Sequence, residues 1–482
     1  MEELVAQALR AAEVQGVVHA EVRVISPERA IHLAVRNGAA SALTSSRGHG
    51  LGVRVRSDRA WGFAGTTELS PAAARTAVRT AVRLARAAGR TARGKLRVVE
   101  EPGPRRGRYS TPLQRDPLEV PVEETLSLLR DAEARLHAGR EIKSGLASFQ
   151  AWDDTKWFGD SDGASYRSRI VHVGAGVSAT AVRGSTVQKR SLPTSFGGDF
   201  SQAGYEFITG LDLPTLAEEA GKTALDLLDA PACPTGSTTL VLGSDQLALQ
   251  VHESVGHATE LDRIFGTEAA FAGTSWVTAD AIGKLRYGSE TMNIVADATV
   301  PGGLGTFGWD DEGVPGRSTP IVDRGVLVGV LSSRESAAQL GLGRSGGTCR
   351  ASGPDRAPLV RMTNVNLEPG DLTVEELLEG VPDGIFLETN RSWSIDDKRL
   401  NFQFGTEVGH RIVRGEIGEL VRNPIYSGMT PSFWGSMDAV ADRSSWHLWG
   451  VPNCGKGQPI QTARVSHGAP VGRFRHVAVR GG

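Results

Sequence analysis

Two histidines and a glutamate within six residues are the part of this sequence best suited to chemistry. His252, Glu253 and His257 lie in the run Val-His-Glu-Ser-Val-Gly-His. A hydrolytic zinc site needs neutral imidazoles that hold the ion, an open position for water, and a carboxylate that takes the proton of that water. The residue types therefore predict a zinc hydrolase with His252 and His257 as ligands and Glu253 as the catalytic carboxylate.

The spacing of the two histidines is unusual for a helix. The motif is His-Glu-x-x-x-His, whereas the commoner His-Glu-x-x-His places its histidines on one helix face. Residues five apart are separated by roughly 140° around an ideal helix. A local π-turn would bring both rings to one side, and Gly256 would ease the deformation. The alternative is a chance match in which both histidines are packed or face solvent.

The flanking residues favour a buried strand followed by a helix. Residues 237–242 read as a buried strand, Gly243 as the turn, and Ser244 or Asp245 as the N-cap. Apolar residues then recur at helical spacing and give the helix a face to bury. They are Leu247, Val251, Val255 and Ala258.

A third metal ligand is needed, and the cysteines are the first candidates. Cys454 is preferred because it lies in a tight glycine-rich loop with Lys456 nearby, and a neighbouring cation favours the thiolate. Cys349 remains open, and Cys233 is expected to be a small buried residue. Other candidates from the sequence are Glu260, His410, His447 and His467.

Several segments resemble the TldD/PmbA family, and more closely its TldD-type metallopeptidase branch. The strongest similarity lies after residue 235, and a weaker similarity covers residues 20–23 and 52–65. The resembling C-terminal segments are residues 240–262, 303–316, 361–364 and 453–459. Two departures are Ala258, where many members have glycine, and a shorter stretch after Lys456; both concern the shape of the substrate channel.

The resemblance implies a ligand set, an activity and partners. It implies that His252, His257 and Cys454 bind Zn2+ and that Glu253 is catalytic. It further implies hydrolysis of unfolded or small peptides in an enclosed cavity, together with a PmbA/TldE-type partner or a second copy. The alternatives are a non-catalytic assembly subunit and a zinc amidase that acts on a small modified peptide.

Composition limits the other possibilities. The chain has 482 residues, a formal net charge of −2 and an isoelectric point near 6.6, which give no reason to expect nucleic-acid binding. No apolar run is long enough for a membrane span, and the N-terminal residues are acidic where a signal peptide would be basic. Three scattered cysteines fit a reducing compartment, so we expect a cytoplasmic protein without membrane partners.

The predicted fold class is α+β, in three units. An N-terminal α/β domain spans 1–105, a central α+β domain 106–230, and a β-rich metallopeptidase domain 231–482, with a linker at 101–119. Predicted helices are 3–13, 71–89 with Ser70 as its N-cap, 122–139, 214–228 and 373–378. Predicted strands are 20–25, 31–35, 50–56, 59–64, 142–157 and 166–183.

Two charged clusters outside the motif need an interpretation. The run Asp310, Asp311 and Glu312 would point its side chains to opposite faces of an extended segment, which argues against one shared ion and for a structural or substrate-contacting role. In the segment 393–399, which contains Asp396, Asp397, Lys398 and Arg399, we expect ion pairing within a turn.

Overall fold

The computed structural model describes residues 1–101, 105–271 and 273–482, and it combines helices with long strands. The predicted α+β class is confirmed. No helix among the described residues is long and apolar enough to cross a membrane.

The elements of the first 230 residues surround one large sheet. They are α1 (Glu2–Glu13), β1 (His19–Arg36), β2 (Ala39–Arg56), β3 (Trp61–Thr66), α2 (Pro71–Gly89), β4 (Arg106–Ser110), α3 (Val122–Arg135), β5 (Ile142–Asp160), β6 (Ser165–Arg183), β7 (Thr186–Leu192), β8 (Asp199–Ser201), α4 (Glu206–Gly210) and α5 (Leu213–Asp229). The sheet has the order β3-β2-β1-β5-β6-β4, and β7 and β8 also pair with β6. The strands of the predicted N-terminal and central domains therefore lie in one sheet.

Two details of this half differ from the sequence prediction. The predicted strands 20–25 and 31–35 are one strand, β1, with an irregularity between Ile25 and Glu28. The predicted linker contains β4, which pairs in parallel with β6. The short polar pattern of this segment predicts a linker, because nothing local indicates a pairing partner some 60 residues away. Residues 102–104 of this linker lie outside the described residues.

The elements of the last 250 residues are shorter and mostly strands. They are β9 (Gly236–Leu242), α6 (Ser244–Val251), α7 (Leu261–Ile264), β10 (Ile294–Asp297), β11 (Ser318–Asp323), β12 (Val326–Leu327), α8 (Arg334–Leu340), β13 (Cys349–Arg350), β14 (Leu359–Val360), β15 (Val365–Leu367), α9 (Val374–Glu379), β16 (Asp383–Ile395), β17 (Asn401–Val413), β18 (Glu416–Val421), β19 (Pro424–Met429), α10 (Thr430–Gly435), β20 (Met437–Val440), β21 (His447–Lys456), β22 (Gln461–Ala469) and β23 (Gly472–Gly481).

Five of these strands pair in a closed ring. Strand β9 pairs with β16 and β23, β17 pairs with β16 and β19, and β19 pairs with β23. Aromatic side chains pack against one another in this region, and α6 is bonded to it through Tyr426, whose hydroxyl contacts the side chains of Gln246 and Gln250 at 2.9 Å. The ring thereby fixes the position of the motif helix, while the separate hairpin β21–β22 carries Cys454 and His467.

Candidate metal centre

The motif helix contains the π-turn that the histidine spacing predicts. After α6, residues His252–Gly256 follow a π-helical turn in which the backbone N–H of His257 donates to the carbonyl of His252. The ring centroids of the two histidines are 4.8 Å apart, and the ring planes cross at 84°. The extra residue in the turn thus brings both imidazoles to the same side.

Buried hydrogen bonds to Ser254 hold this turn. The Ser254 hydroxyl donates to the carbonyl of Gln250 at 2.6 Å and accepts from the indole Nε1 of Trp434 at 2.9 Å. The hydroxyl of Tyr287 donates to the carbonyl of Ser254. Because these groups are buried, losing any of the bonds would leave a polar atom unsatisfied, which costs about 1–3 kcal/mol.

Gly256 is required by packing and not by backbone freedom. Its φ of −52° is ordinary helical geometry, which any residue adopts. A Cβ at this position would lie 2.1 Å from the Sδ of Met362. The sequence predicts that Gly256 eases the π-turn through its backbone flexibility, and this reason is wrong. A glycine is needed here because there is no room for a side chain.

Three potential metal ligands converge at this turn. One donor atom from each of His252, His257 and Cys454 lies within 4.8 Å of the others, and the Cys454 Sγ is 3.5 Å from the His257 Nε2. All three residues are about 95% buried. Cys233 and Cys349 are also buried but are outside this group. The structure therefore brings together the three residues that were preferred from the sequence.

The Nδ1 nitrogen of His252 forms a hydrogen bond with His467. The Nδ1 of His252 lies 2.7 Å from the Nε2 of His467, and the Nδ1 of His467 lies 2.9 Å from the carbonyl of Val365. A carbonyl only accepts, so His467 donates from Nδ1 and accepts at Nε2 from the Nδ1–H of His252. This tautomer leaves the Nε2 lone pair of His252 free for a metal.

The Nδ1 nitrogen of His257 forms a hydrogen bond with a carboxylate. The Nδ1 of His257 donates to Glu260 at 2.9 Å, and the same carboxylate oxygen accepts from the Nε of Arg263 at 2.7 Å. Burial alone would raise the pKa of Glu260, but Lys456, His257 and Arg263 hold it well below the usual range. His467 and Glu260, which were candidate ligands, thus contact the far sides of the two histidine rings. The other two candidates do not contact the centre, since His447 pairs with Asp199 and His410 with the carbonyl of Gly418.

The donor set is electrostatically suited to a cation. Burial lowers the pKa of both His252 and His257, which keeps the rings neutral. Burial would raise the pKa of Cys454, but His257 and Arg361 lower it below its ordinary value. Two neutral imidazoles and a thiol that ionises easily are the usual ligands of zinc, so these residues fit a metal.

The carboxylate of Glu253 forms an ion pair with Arg399, a residue of the charged segment 393–399. Its Oε2 lies 2.9 Å from the Nη1 of Arg399, which follows β16 in the turn before β17 and has a left-handed φ of +63°. The prediction of ion pairing within segment 393–399 is wrong for Arg399, and Asp396 instead accepts the backbone N–H groups of Leu400 and Asn401. The partner lies 146 residues away, so no local pattern indicates it.

The predicted N-cap of the motif helix also differs from the structure. The N-cap is Gly243, and no side chain caps it. Ser244 instead donates its hydroxyl to the carbonyl of Ala469 and accepts from the indole of Trp449 at 2.8 Å. Both partners belong to the end of the hairpin β21–β22, so this serine joins α6 to the hairpin that carries Cys454.

Comparison with known proteins decides the family. The chain matches sequence models described as PmbA/TldA metallopeptidase C-terminal domain over residues 235–481, central domain over 115–228, and domain 1 over 20–85. It is 30% identical over 469 residues to a protein of Methanothermobacter thermautotrophicus named "Metalloprotease", covering 96% of both chains. The chain belongs to the PmbA/TldD metallopeptidase family.

A further relative of the chain and two solved structures with the same fold agree with this assignment. A protein of Saccharolobus solfataricus named "Zinc metalloprotease TldD homolog" is 27% identical over 282 residues, covering 58% of this chain and 60% of its own. The solved TldE from Thermococcus kodakarensis superimposes with a TM-score of 0.74 at 16% identity, over 99% of this chain and all of its own. A solved protein of Thermotoga maritima gives a TM-score of 0.78 at 16% identity, over 99% of both chains. The high TM-scores over nearly the whole chain show a common fold with both structures.

The acidic run that contributes to the resemblance divides among separate partners. Asp310 accepts backbone N–H groups, Asp311 pairs with Lys156, and Glu312 pairs with Arg54 at 2.8 Å. No two of these carboxylates share one ion pair among the described residues. The separate partners agree with the prediction that the three acids do not share one ion, and the predicted structural or substrate-contacting role stays a prediction.

Proposed function

We propose that this chain is a zinc-dependent peptidase in which His252, His257 and Cys454 hold the metal and Glu253 is the catalytic base. The observation that carries the proposal is the convergence of the three donor atoms within 4.8 Å. The Nδ1 of each histidine is hydrogen-bonded to another residue, as in many zinc sites. These hydrogen bonds leave the Nε2 atoms available for the metal. Three protein ligands would leave a position open for substrate.

In the proposed hydrolysis, the metal and Glu253 would have different roles. Zinc at this site would act as a Lewis acid that lowers the pKa of water and polarises a carbonyl group. Glu253 would accept the proton of the attacking water and pass it to the leaving amine. Its Oε2 is held by Arg399, and its Oε1 has no hydrogen-bond partner in the described parts of the chain, so Oε1 is the atom available for this proton.

Substitution of the base and of one ligand tests the two roles separately. Glu253→Gln should keep stoichiometric zinc and abolish cleavage of an unfolded peptide pool read by mass spectrometry. Cys454→Ser should lose or weaken zinc binding, whereas Cys349→Ser, which replaces another buried cysteine, should keep it. Loss of zinc in Glu253→Gln would make Glu253 a ligand, and full zinc with normal activity in Cys454→Ser would refute the ligand set.

We further propose that the substrates are unfolded or small peptides and that the site works inside a cavity closed by another subunit. A solved TldE shares this fold, so a TldE-type partner or a second copy is the expected subunit. An edge strand of the C-terminal domain would hold the peptide by strand addition. Cleavage of a folded protein as fast as of its unfolded form would contradict this, as would dependence on one side-chain motif. We expect the reaction in the cytoplasm, since the three cysteines are unpaired.

Two other functions remain to be distinguished. In a non-catalytic assembly subunit the zinc would be structural or absent, yet a structural site has no use for the carboxylate of Glu253 beside its ligands. That subunit would bind zinc without cutting any peptide, alone or with its partner. A zinc amidase would cut only small modified amides and leave long unstructured peptides intact.

A further inference from the structure

A small polar cavity lies between the N-terminal sheet and the hairpin β21–β22. Its volume is about 90 Å³, which is room for about three water molecules or one small organic group. Side chains from β5, β6, β13 and β22 line it, together with Arg361. Arg361 donates to the carbonyls of Cys454 and Gln461, so a residue that lines the cavity also contacts the backbone of a candidate metal ligand.

Two guanidinium groups of this cavity have no carboxylate partner. Arg350 donates one hydrogen bond, to the carbonyl of Met362 at 3.0 Å, and Arg361 contacts only carbonyls, with its buried Nε unpartnered among the described residues. Of the other acids that line the cavity, Asp311 binds Lys156 and Asp154 binds Arg464. Glu28 forms no ion pair among the described residues, and burial raises its pKa, so it adds little negative charge. A buried cation without a counter-ion costs several kcal/mol.

The electrostatics of Arg350 point to a missing anion. Burial and the repulsion of Arg361 and Arg464 lower the pKa of Arg350 to about 10, and the attraction of Asp311 and Cys454 offsets them only in part. Asp310 also lines the cavity, but burial and Glu312 raise the pKa of Asp310 well above its usual range, so it adds little compensating charge. An anion between the two guanidinium groups would stabilise the charged form of Arg350 and so offset the burial and the repulsion that lower its pKa.

Two other side chains that line the cavity, His172 and Asp154, offer acceptors. The Nε2 of His172 donates to the carbonyl of Leu304 at 3.2 Å, and burial lowers the pKa of His172 well below its ordinary value. Its Nδ1 is therefore a lone pair, and it has no partner among the described residues. The Oδ1 of Asp154 is likewise buried and unpartnered there. Buried acceptors of this kind call for an N–H or O–H donor.

We propose that this cavity binds a carboxylate that carries an N–H group on the adjacent carbon. Arg350 and Arg361 would bind the carboxylate, and His172 and Asp154 would accept from the nitrogen. Two sources supply this chemistry, namely the C-terminal residue of a peptide and a free amino acid. For a peptide the inference rests on the proposed peptidase function, whereas for an amino acid it stands independently.

Binding of a small probe tests the site without any cleavage. Calorimetry with N-acetylglycine and with N-acetylglycinamide, which lacks the carboxylate, should give at least about tenfold tighter binding of the acid to the zinc-loaded protein. Arg350→Gln should abolish this preference. Arg286→Gln is the matched control, because Arg286 is exposed and also donates to a single carbonyl. Equal binding of acid and amide, or an unchanged preference in Arg350→Gln, would overturn the proposal.

A tethered carboxylate gives a second test that does not depend on removing Arg350. Ala351 lines the cavity, so Ala351→Asp would place an acid inside it. This variant should melt at a higher temperature than the wild type and should no longer bind N-acetylglycine. A lower melting temperature together with retained binding would contradict the assigned site.

Peptide cleavage distinguishes the two sources. If the occupant is a peptide end, kcat/KM for a peptide with a free C-terminus should exceed that of its C-terminal amide at least about tenfold, and Arg350→Gln should remove the difference. Equal rates with intact N-acetylglycine binding would assign the site to a free amino acid. If no peptide is cut at all, the proposed function fails, while the calorimetric result still decides this inference.

Discussion

The carboxylate of Glu253 and the guanidinium of Arg399 lie 2.9 Å apart, and both side chains are largely buried. Arg399 is held in place from its backbone, since its carbonyl accepts from the Thr430 hydroxyl at 2.7 Å. The buried Nε of Arg399 has no partner among the described residues. The ion pair therefore fixes one oxygen of the candidate base, Oε2, and leaves Oε1 without a hydrogen-bond partner among the described residues.

Arg399→Ala should lower kcat/KM by about 10- to 100-fold, because a misplaced catalytic group loses rate steeply. Bound zinc should stay stoichiometric, since Arg399 contacts no candidate ligand in the contacts described. Arg399→Lys should recover part of the activity by keeping the charge. Peptide cleavage rates and zinc content on the same preparations measure both effects, and a loss of zinc in Arg399→Ala would show that the arginine supports the metal site instead.

His467→Ala should weaken zinc binding by about 10- to 100-fold, because the Nδ1–H of His252 would lose its acceptor and the ring its orientation. Competition with a fluorescent chelator measures the affinity. His476→Ala is the matched control, since His476 is exposed on β23. An affinity equal to that of the wild type would mean that His467 does not orient the ligand.

Gly256→Ala should lower the free energy of unfolding by about 1–3 kcal/mol, because its Cβ would meet the Sδ of Met362 at 2.1 Å. Urea unfolding measures the change. Gly435→Ala, in α10, is the control because its Cβ would have no neighbour within 4 Å. Adding Met362→Ala should relieve part of the clash, and a Gly256→Ala variant as stable as the wild type would contradict the packing argument.

The stability of the N-terminal sheet should depend on pH through His19. Burial alone would lower the pKa of His19, but Asp162 at 3.0 Å and Glu21 at 3.3 Å raise it to about 9. A folded pKa above the unfolded value stabilises the protein fully below pH 6.5, and this contribution is lost as pH rises through 9.

The stability advantage of the wild type over His19→Gln should therefore shrink by about 3 kcal/mol between pH 6.5 and 9. Urea unfolding of both proteins across this range measures it. His32→Gln, on the same strand, controls for the loss of a histidine. A stability difference that stays constant across the range would show that His19 is not charged in the folded protein.

The π-turn and the three candidate ligands of the candidate metal centre could be predicted from the sequence. The five-residue spacing predicts the π-turn, because an ideal helix would separate His252 and His257 around its axis. The glycine-rich loop around Cys454 and the family resemblance both favour Cys454 over Cys349 and Cys233 as the third ligand. Each of these conclusions depends on residues within one turn or loop, or on a motif that can be recognised as a unit.

The surroundings of the metal centre could not be predicted. Arg399 reaches Glu253 across 146 residues, and His467 reaches His252 across 215. Such contacts depend on how the strand ring and the hairpin β21–β22 come together, and no local periodicity reports that. The sheet shared by the first two predicted domains is another case, since β1 pairs with β5 more than 100 residues later.

The π-turn has a consequence for how this motif can change in evolution. Deleting one residue between His252 and His257 would give the common four-residue spacing, but it would rotate one flank of the helix by about 100°. Neither flank is free to rotate. Tyr426 bonds Gln246 and Gln250 on one side, and the backbone of Leu331 pairs with that of Thr259 on the other. A change to the shorter motif would therefore require one flank to be rebuilt at the same time, because the two histidine rings would otherwise be turned away from each other.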